Sequence, residues 1–276
     1  MSWLEVHVRC DDPTQRDAIV AALVAAGAAG VQEVEDGLRT HLPSGTELGA
    51  VETAVRAAGS DASISCSNVG EIDWASRWPA RVGVQRVGRI AVAPPWLADQ
   101  IADAEIPIVI EPATAFGTGE HETTRGILAL MQRTVETGDV VADLGAGSAV
   151  LSIAAAKLGA SRVAAVEIDE QAMGNAEENV ERNSVGTRVT IIEGDAAIIL
   201  PLLAPVRVIL ANIISSVIVE LAPAMRAALA ADGRAIISGI LVSERDGVLN
   251  ALEPLGFELR GEIAEGEWWS AELAPC

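Results

Sequence analysis

The order of hydrophobic and polar positions predicts two regions with different arrangements of secondary structure. In residues 2–9 apolar and polar side chains alternate, as they do in a half-buried strand. The Ala/Val/Leu-rich segment that follows begins with Asp12 and Pro13, in the order expected for a helix start. The predicted elements are strand 2–9, helix 12–27, strands 29–35 and 38–43, helix 46–58 and strand 61–68. This β-α-β-β-α-β order predicts a small ferredoxin-like α+β domain.

From about residue 106 onward, predicted strands and helices alternate regularly. The strands are 106–110, 139–143, 161–166, 187–193, 206–211 and 233–239, with a final pair near 257 and 268, and the helices are 122–135, 149–158, 170–183, 215–231 and 243–254. Such alternation predicts an α/β fold with a parallel, doubly wound, Rossmann-like sheet. We therefore expect an N-terminal domain at 1–70, a connector at 71–105 and a larger domain at 106–276.

The predicted connector contains Trp74, Trp78 and Trp96, which are half of the six tryptophans in the chain. Tryptophan favours buried, well-packed surroundings. The segment is therefore predicted to dock against other parts of the protein rather than to act as a flexible linker, although ordinary core tryptophans would give the same pattern.

Composition and charge narrow the range of partners. Apolar residues make up 50% of the chain, which argues against disorder, and the formal charge is −20. This acidic excess opposes direct binding to nucleic acid or to an anionic membrane, because both require clustered Lys and Arg. Among partners a basic one is the easier expectation, but net charge is mainly a statement about solubility, and a solvated acidic surface without any such partner is the preferred interpretation.

The cysteines and the apolar segments indicate a cytoplasmic location. Cys10, Cys66 and Cys276 have neither metal-ligand nor redox spacing, so they are expected to be reduced thiols. The first twelve residues include four charged side chains and lack the apolar core of a signal peptide. The later apolar stretch 196–219 is interrupted by prolines and polar residues and is predicted to lie in a soluble core.

The most informative stretch is 140–169, where an apolar run ends at Asp143 and a glycine turn follows at Gly145 and Gly147. A strand, a tight turn and a helix in this order bring backbone N–H groups and a helix N-terminus to a ligand. A dinucleotide fold would have a third glycine where this chain has Val150, so the usual NAD fingerprint is absent. Gly145 and Gly147 remain candidates for binding another cofactor.

Three polar residues follow predicted strands at positions where they can face such a ligand. Glu167 ends the next strand, where a carboxylate can accept both hydroxyls of a ribose, which indicates a nucleoside-containing cofactor. Asp195 could accept an adenine amino group, or it could cap the following helix. Asn212 offers an acceptor and a donor beside the cofactor, although a polar residue at a strand end is also unremarkable.

A second loop rich in glycine and threonine, residues 111–124, leads into a predicted helix. Its glycines suit a loop that lies close to a ligand, and His121, Thr123 and Thr124 supply polar groups at the helix start. A metal site is not expected, because the three histidines are far apart in the sequence. The chain also lacks a Ser-His-Asp arrangement and a P-loop lysine.

Together these motifs closely resemble the PrmA family, the S-adenosylmethionine-dependent methyltransferases of ribosomal protein L11. The matching segments are FGTGEHETT (116–124), DLGAGS (143–148), VEID (166–169), EGD (193–195), LANI (210–213), SGIL (238–241), GEW (266–268) and the tryptophan connector. The FGTGxHxTT loop is the most specific of them, whereas the DxGxG turn would suit any class I methyltransferase. The resemblance covers nearly the whole chain and implies a class I methyltransferase fold with S-adenosyl-L-methionine as cofactor.

The resemblance also implies roles for individual residues. By match of motif, Thr123 and Thr124 would contact the methyl donor from the loop, and Gly145 would line its methionine end. Glu167 would hold the ribose, and Asn212 would lie beside the methyl group. The N-terminal domain would recognise the ribosomal substrate.

Two residues depart from the pattern of the family. Ala149 stands where a further glycine is common, and the ribose acid, commonly Asp, is Glu167. The methyl group of Ala149 could tighten the turn, and the longer side chain of Glu167 could shift the ribose.

The implied reaction transfers methyl groups to the lysine side chains and the N-terminal amine of ribosomal protein L11. Such a reaction mainly requires that a neutral amine be aligned with the methyl group and that water be excluded. Asn212 could orient the amine lone pair, and His121 is the candidate general base. The acidic chain suits a basic ribosomal substrate, and we expect a monomer.

Two alternative functions remain open at this point. One is a related protein-lysine methyltransferase with a different target, such as an electron-transfer flavoprotein subunit. The other is a non-catalytic nucleoside-binding module, in which Ala149 and Glu167 would mark a decayed site. Retention of the FGTGxHxTT loop and of Asn212 argues against decay.

Overall fold

The chain folds as two units, residues 1–74 and 75–276. The computed structural model describes residues 3–10, 15–28, 31–34, 37–43, 46, 48–59, 62–69, 83–112, 117 and 119–276. None of the helices in these described ranges is both long enough and apolar enough to cross a membrane.

The first unit is an antiparallel sheet that packs against two helices. Its strands are β1 (Trp3–Arg9), β2 (Val31–Val34), β3 (Gly37–Pro43) and β4 (Ser63–Val69), and its helices are α1 (Arg16–Ala25) and α2 (Leu48–Ala58). The strand order is β2-β3-β1-β4, with antiparallel pairing throughout. Ile19 and Leu23 of α1 and Val51 and Val55 of α2 are buried against apolar strand residues. The ferredoxin-like prediction is therefore confirmed.

The second unit begins with a small sheet that includes part of the predicted connector. Its elements are β5 (Gln85–Val87), β6 (Ile90–Ala93), a 3-10 helix (Pro95–Ile101) and β7 (Ile106–Val109). The strand order is β5-β6-β7, and β6 runs parallel to β7. Trp96 is half-exposed in the 3-10 helix, whereas Trp74 and Trp78 lie outside the described residues. The domain boundaries at 70 and 105 stay a prediction.

The large sheet of the second unit has seven strands in the order β10-β9-β8-β11-β12-β14-β13. These strands are β8 (Val140–Leu144), β9 (Arg162–Glu167), β10 (Val189–Glu193), β11 (Val206–Asn212), β12 (Leu229–Leu241), β13 (Phe257–Glu265) and β14 (Trp268–Pro275). Strands β8 to β12 pair in parallel, and β14 pairs antiparallel with both of its neighbours. This sheet confirms the predicted doubly wound α/β fold.

The helices that connect these strands largely match the sequence pattern. They are α3 (Glu122–Thr134), α4 (Val150–Leu158), α5 (Glu170–Arg182), α6 (Ala196–Leu203), α7 (Ser215–Ala228) and α8 (Arg245–Leu252), with 3-10 turns at Val242–Glu244 and Glu253–Leu255. Helix α6 has no bounds among the predicted elements and was expected only as the helix that Asp195 could cap, because its sequence AAIILPLL has no polar face and contains Pro201. Helix α7 ends earlier than predicted, since β12 already begins at Leu229.

The core shows why the sheet is covered on both faces. Successive residues of one strand belong to different hydrophobic clusters, as Val141 and Ala142 do in β8 and Ile209 and Leu210 do in β11. Both faces of the central strands are therefore buried under helices, as in other parallel sheets. The strand order reverses between β8 and its neighbours β9 and β11, and ligands bind at the carboxyl ends of strands at such a point.

Candidate active site

The turn after β8 is shaped by two glycines in left-handed conformations, Gly145 with φ +72° and Gly147 with φ +52°. The N–H groups of Gly145 and Ala146 both donate to the carbonyl of Val166, at 2.9 and 3.1 Å. A Cβ atom at position 145 would lie 2.7 Å from Cγ2 of Ile213. Glycine at 145 is thus required by the backbone conformation and by the space beside Ile213.

Glu167 is fixed at the end of β9 by three backbone N–H groups. Its Oε2 accepts a hydrogen bond from Gly147 at 2.8 Å, and its Oε1 accepts from Ile168 at 2.9 Å and from Asp169 at 3.0 Å. A carboxylate has about four acceptor positions, so capacity remains for a further donor. The side chain therefore joins the glycine turn to the strand end and can still accept a ligand hydroxyl.

Asp143 lies beneath the same turn and is fully buried. Its Oδ2 accepts a hydrogen bond from the hydroxyl of Ser152 at 2.6 Å, while its Oδ1 has no hydrogen-bond partner in the described part of the chain. Burial raises the pKa of Asp143 to about 6, and the bond from Ser152 opposes this shift only in part.

Asn212 and Thr124 meet although they are far apart in the sequence. Asn212 is the last residue of β11, and its Nδ2 donates to Oγ1 of Thr124, in the first turn of α3, at 3.3 Å. The N–H of the next residue, Ile213, donates to the carbonyl of Ser238 at 3.1 Å. Gly239 has φ +85°, and a Cβ there would lie 2.4 Å from the carbonyl oxygen of Ile213. The SGIL segment thus fixes the strand end that carries Asn212.

His121 and Thr123 form the start of α3. Nδ1 of His121 lies 2.8 Å from Oγ1 of Thr123 and accepts a hydrogen bond from the Thr123 N–H at 3.3 Å. The imidazole also contacts Trp268 edge-on, with ring centroids 5.0 Å apart. The structure therefore gives His121 a helix-capping contact, and its role as a general base stays a prediction.

Two adjoining cavities open at the carboxyl ends of the strands. The larger has a volume of about 460 Å³, and five of the residues singled out from the sequence line it: Thr124, Gly145, Gly147, Glu167 and Asn212. The smaller, of about 260 Å³, is lined by Asp195 and shares Gly145, Ile168 and Ile213 with the first. The larger cavity by itself, and the two cavities together, have the size of a small-molecule site. The cavities thus combine the fixed carboxylate of Glu167, the glycine at 145 and apolar walls at Ile168 and Ile213. This combination suits a methyl donor that contains a nucleoside.

Three of the predicted site residues need separate comment. Asp195 caps α6, because its carboxylate accepts the N–H of Ala197 at 2.8 Å, and it also lines the smaller cavity. Its contact with an adenine stays a prediction. Thr123 and His121 are not among the described residues that line either cavity, so their contacts with a donor also stay predictions.

The sequence did not single out Ile168, Ile213 or Ser148 as site residues. The signal in the sequence is that Ile168 and Ile213 directly follow Glu167 and Asn212. In the structure both isoleucines line the cavities, and Ile168 is strongly exposed. Ser148 is buried, and its hydroxyl donates to the carbonyl of Gly117 at 2.6 Å. Among the described residues, no group of three or more His, Cys, Asp or Glu side chains is arranged to hold a metal ion.

Known proteins share this arrangement over most of the chain. A sequence model of the family described as "Ribosomal protein L11 methyltransferase (PrmA)" matches residues 37–274. The ribosomal protein L11 methyltransferase of Thermus thermophilus is 42% identical over 200 residues, which cover 72% of this chain and 76% of that relative. The protein of the same name from Desulforamulus reducens is 37% identical over 203 residues, covering 73% of this chain and 65% of that relative.

A solved structure shows the same relationship in three dimensions. The ribosomal protein L11 methylase of Lactobacillus delbrueckii subsp. bulgaricus superimposes with a TM-score of 0.62 and 29% identity, over 70% of this chain and 98% of that one. The relatives favour neither of the two alternative functions considered above. By sequence and by fold, the chain belongs to the ribosomal protein L11 methyltransferase (PrmA) family.

Proposed function

We propose that this chain transfers methyl groups from S-adenosylmethionine to amino groups of ribosomal protein L11, at lysine side chains and at the N-terminal amine. The proposal is supported by membership of a family whose relatives carry that name. The observation that carries it is the larger cavity, where Thr124, Gly145, Glu167 and Asn212 come together from four separate parts of the chain.

The residues around the two cavities suit the separate parts of the methyl donor. Glu167 would accept the ribose hydroxyls with the acceptor capacity that its three N–H bonds leave. Asp195 would lie beside the adenine in the smaller cavity. Gly145 allows the methionine end to approach the backbone, because no side chain projects there.

Asn212 would position the amine that receives the methyl group. Its Nδ2 is bound to Thr124, so its Oδ1 is left as an acceptor for an N–H of the amine. S-adenosylmethionine supplies a methyl group that its sulfonium charge already activates. The chain therefore contributes mainly alignment and exclusion of water, and desolvation of an entering lysine favours its neutral form.

The proposal extends to the partners and the setting of the protein. Residues 1–70 would recognise the ribosomal substrate, and the formal charge of −20 favours encounter with a basic protein. We further propose that the protein acts as a cytoplasmic monomer and does not bind nucleic acid directly. Light scattering tests whether the protein is a monomer, and a gel-shift titration with ribosomal RNA tests whether it binds nucleic acid.

Incubation of the protein with labelled S-adenosylmethionine and purified ribosomal protein L11 tests the central claim. Lys157 is the single lysine of the chain, and its half-buried Nζ donates to the carbonyl of Pro107. Methyl-lysine recovered from a hydrolysate therefore reports on the added substrate. We expect label in ribosomal protein L11 and none in an electron-transfer flavoprotein subunit. Donor binding without transfer to L11 would overturn the proposed substrate.

A further inference from the structure

Three asparagines follow one another at intervals of four residues along α5, with Asn175 and Asn179 inside the helix and Asn183 at its C-cap. Residues at this spacing lie above one another on a helix surface. Asparagine is a poor residue for the interior of a helix, because its amide competes with the backbone for hydrogen bonds. Three of them on a single face therefore suggest a role outside the helix itself.

These asparagines bind the backbone of the last residue of β7 and of Glu111, which follows the strand. Asn183 accepts from the N–H of Val109 at 3.0 Å and donates to its carbonyl at 2.6 Å. Two residues on, the N–H of Glu111 donates to Oδ1 of Asn179 at 2.8 Å, and Nδ2 of Asn175 donates to the Glu111 carbonyl at 3.1 Å. The side-chain amides thus pair with an edge strand as another strand would.

Asn179 differs from its two neighbours because it also reaches the glycine turn. It is completely buried, and its Nδ2 donates to the carbonyl of Ser148 at 3.1 Å. The hydroxyl of Ser148 in turn donates to the carbonyl of Gly117 at 2.6 Å. Glu111 and Gly117, which lie on either side of residues 113–116, are therefore both attached to Ser148, the first through Asn179.

We propose that Asn179 is a positioning residue for the methyl donor. It holds Glu111 and the turn at Ser148 at a fixed separation, and this separation places Gly117 on the wall of the larger cavity. The inference rests on the proposed function in so far as that cavity binds the donor. Both polar atoms of the Asn179 side chain are used, so no other residue type of similar size satisfies the Glu111 N–H and the Ser148 carbonyl together.

Asn183 provides a matched control at the C-cap of the same helix. It is also buried and binds the backbone of the same segment with both polar atoms, yet its contacts are with Val109 and with the Asn179 carbonyl and do not include the glycine turn. Leucine has a similar volume but no polar atoms. At either position it leaves backbone groups of residues 109–111 unpaired, which destabilises the protein in both cases. Only the change at 179 removes the connection to Ser148.

The test is calorimetric titration of the wild type, Asn179→Leu and Asn183→Leu with S-adenosylhomocysteine, together with their thermal unfolding. We expect Asn179→Leu to raise Kd about tenfold and Asn183→Leu to leave it within about twofold, although both lower Tm. In steady-state assays Asn179→Leu should raise the KM for the donor and leave kcat at saturating donor near that of the wild type. Equal Kd values for the two variants would overturn the inference.

Two further measurements keep the outcome decisive. If either leucine variant does not fold, Asn179→Ala is compared with Asn183→Ala under the same criterion. Ser148→Ala removes the bond to Gly117, and its effect on Kd should be smaller in the Asn179→Leu background than in the wild type, because both act on the same segment. A wild type that does not bind S-adenosylhomocysteine would overturn the proposed function as well, whereas binding with additive effects would overturn only the role of Asn179.

Discussion

The carboxylate of Glu167 accepts a hydrogen bond from the N–H of Gly147 at 2.8 Å, which joins the end of β9 to the turn after β8. Replacement of Glu167 by Ala removes this bond, two further N–H bonds and the proposed acceptor for the ribose. We expect Kd for S-adenosylhomocysteine to rise at least about tenfold. Calorimetry measures this value.

A neighbouring strand supplies the control for this prediction. Glu193 pairs in register with Glu167, at the end of β10, but its side chain is exposed and is not among the described residues that line the cavities. Glu193→Ala should therefore bind S-adenosylhomocysteine like the wild type. Unchanged affinity in Glu167→Ala would show that this carboxylate does not hold the ribose.

Asn212 should matter more for transfer than for donor binding. Asn212→Ala removes the proposed acceptor for the amine, and misalignment of a reacting group by about 1 Å can cost on the order of a hundredfold in rate. We expect kcat to fall by about that factor, while the KM for the donor changes by less than about threefold. Steady-state assays with ribosomal protein L11 separate the two constants.

Thr124 should act on the same step, because its hydroxyl accepts the Asn212 amide at 3.3 Å. Thr124→Val keeps the shape of the side chain and removes this acceptor, so kcat should fall about tenfold. Thr124→Ser keeps the hydroxyl and should retain most of the rate. If valine and serine have equal effects, the hydrogen bond does not orient Asn212.

The sequence pattern predicted the sheet well because central parallel strands are continuous apolar runs between turn residues. It also identified Glu167 and Asn212, since each follows such a run directly and the carboxyl ends of parallel strands converge. Helix α6 was missed because its pattern lacks polar positions. The local sequence pattern therefore suffices to locate buried strands that end in turn residues, but not a helix without a polar face.

Long-range contacts of the site could not be predicted in this manner. The bond from Ser148 to Gly117 joins residues that are 31 apart, and the bond from Glu111 to Asn179 joins residues that are 68 apart. Both bonds depend on how loops pack against the sheet in three dimensions, and this packing is not visible in a local sequence pattern. The capping contact of His121 with Thr123 is local, but the sequence alone could not separate it from a catalytic role.

Ala149 adopts a left-handed conformation, with φ +64° and ψ +18°, at the start of α4. This conformation costs an L-residue about 1–2 kcal/mol, and glycine adopts it freely. After the greater entropy of glycine in the unfolded chain and the lost burial of the Ala149 methyl group, worth about 0.8 kcal/mol, are subtracted, Ala149→Gly should leave the free energy of unfolding within about 0.5 kcal/mol of the wild type. Urea denaturation measures the difference.

Ala154 provides the control for this prediction with the same substitution. It is equally buried but lies in the middle of α4. There glycine lowers helix stability by about 1 kcal/mol relative to alanine. Ala154→Gly also loses the buried methyl group, so it should destabilise the protein by about 2 kcal/mol, whereas Ala149→Gly should be nearly neutral. Equal destabilisation by the two substitutions would show that the left-handed conformation stores no strain.

Asp143 should make stability depend on pH in the direction opposite to a salt-bridged carboxylate. Burial raises its pKa from 3.8 to about 6 in the folded state, so between these values the folded protein binds more protons than the unfolded chain. Stability contributed by the protonated form is present at low pH and is lost as the pH rises through about 6. The full effect is on the order of 3 kcal/mol, of which about 1 kcal/mol falls between pH 5 and pH 8.

Asp143→Asn removes this titration without changing the size of the side chain. The difference in unfolding free energy between variant and wild type should therefore move in favour of the variant by about 1 kcal/mol between pH 5 and pH 8. Ser152→Ala, which removes the bond that lowers the pKa of Asp143, should shift the pH dependence of stability to higher pH. Urea denaturation at several pH values provides the measurement. A difference between Asp143→Asn and wild type that stays constant with pH would show that burial does not raise the pKa of Asp143.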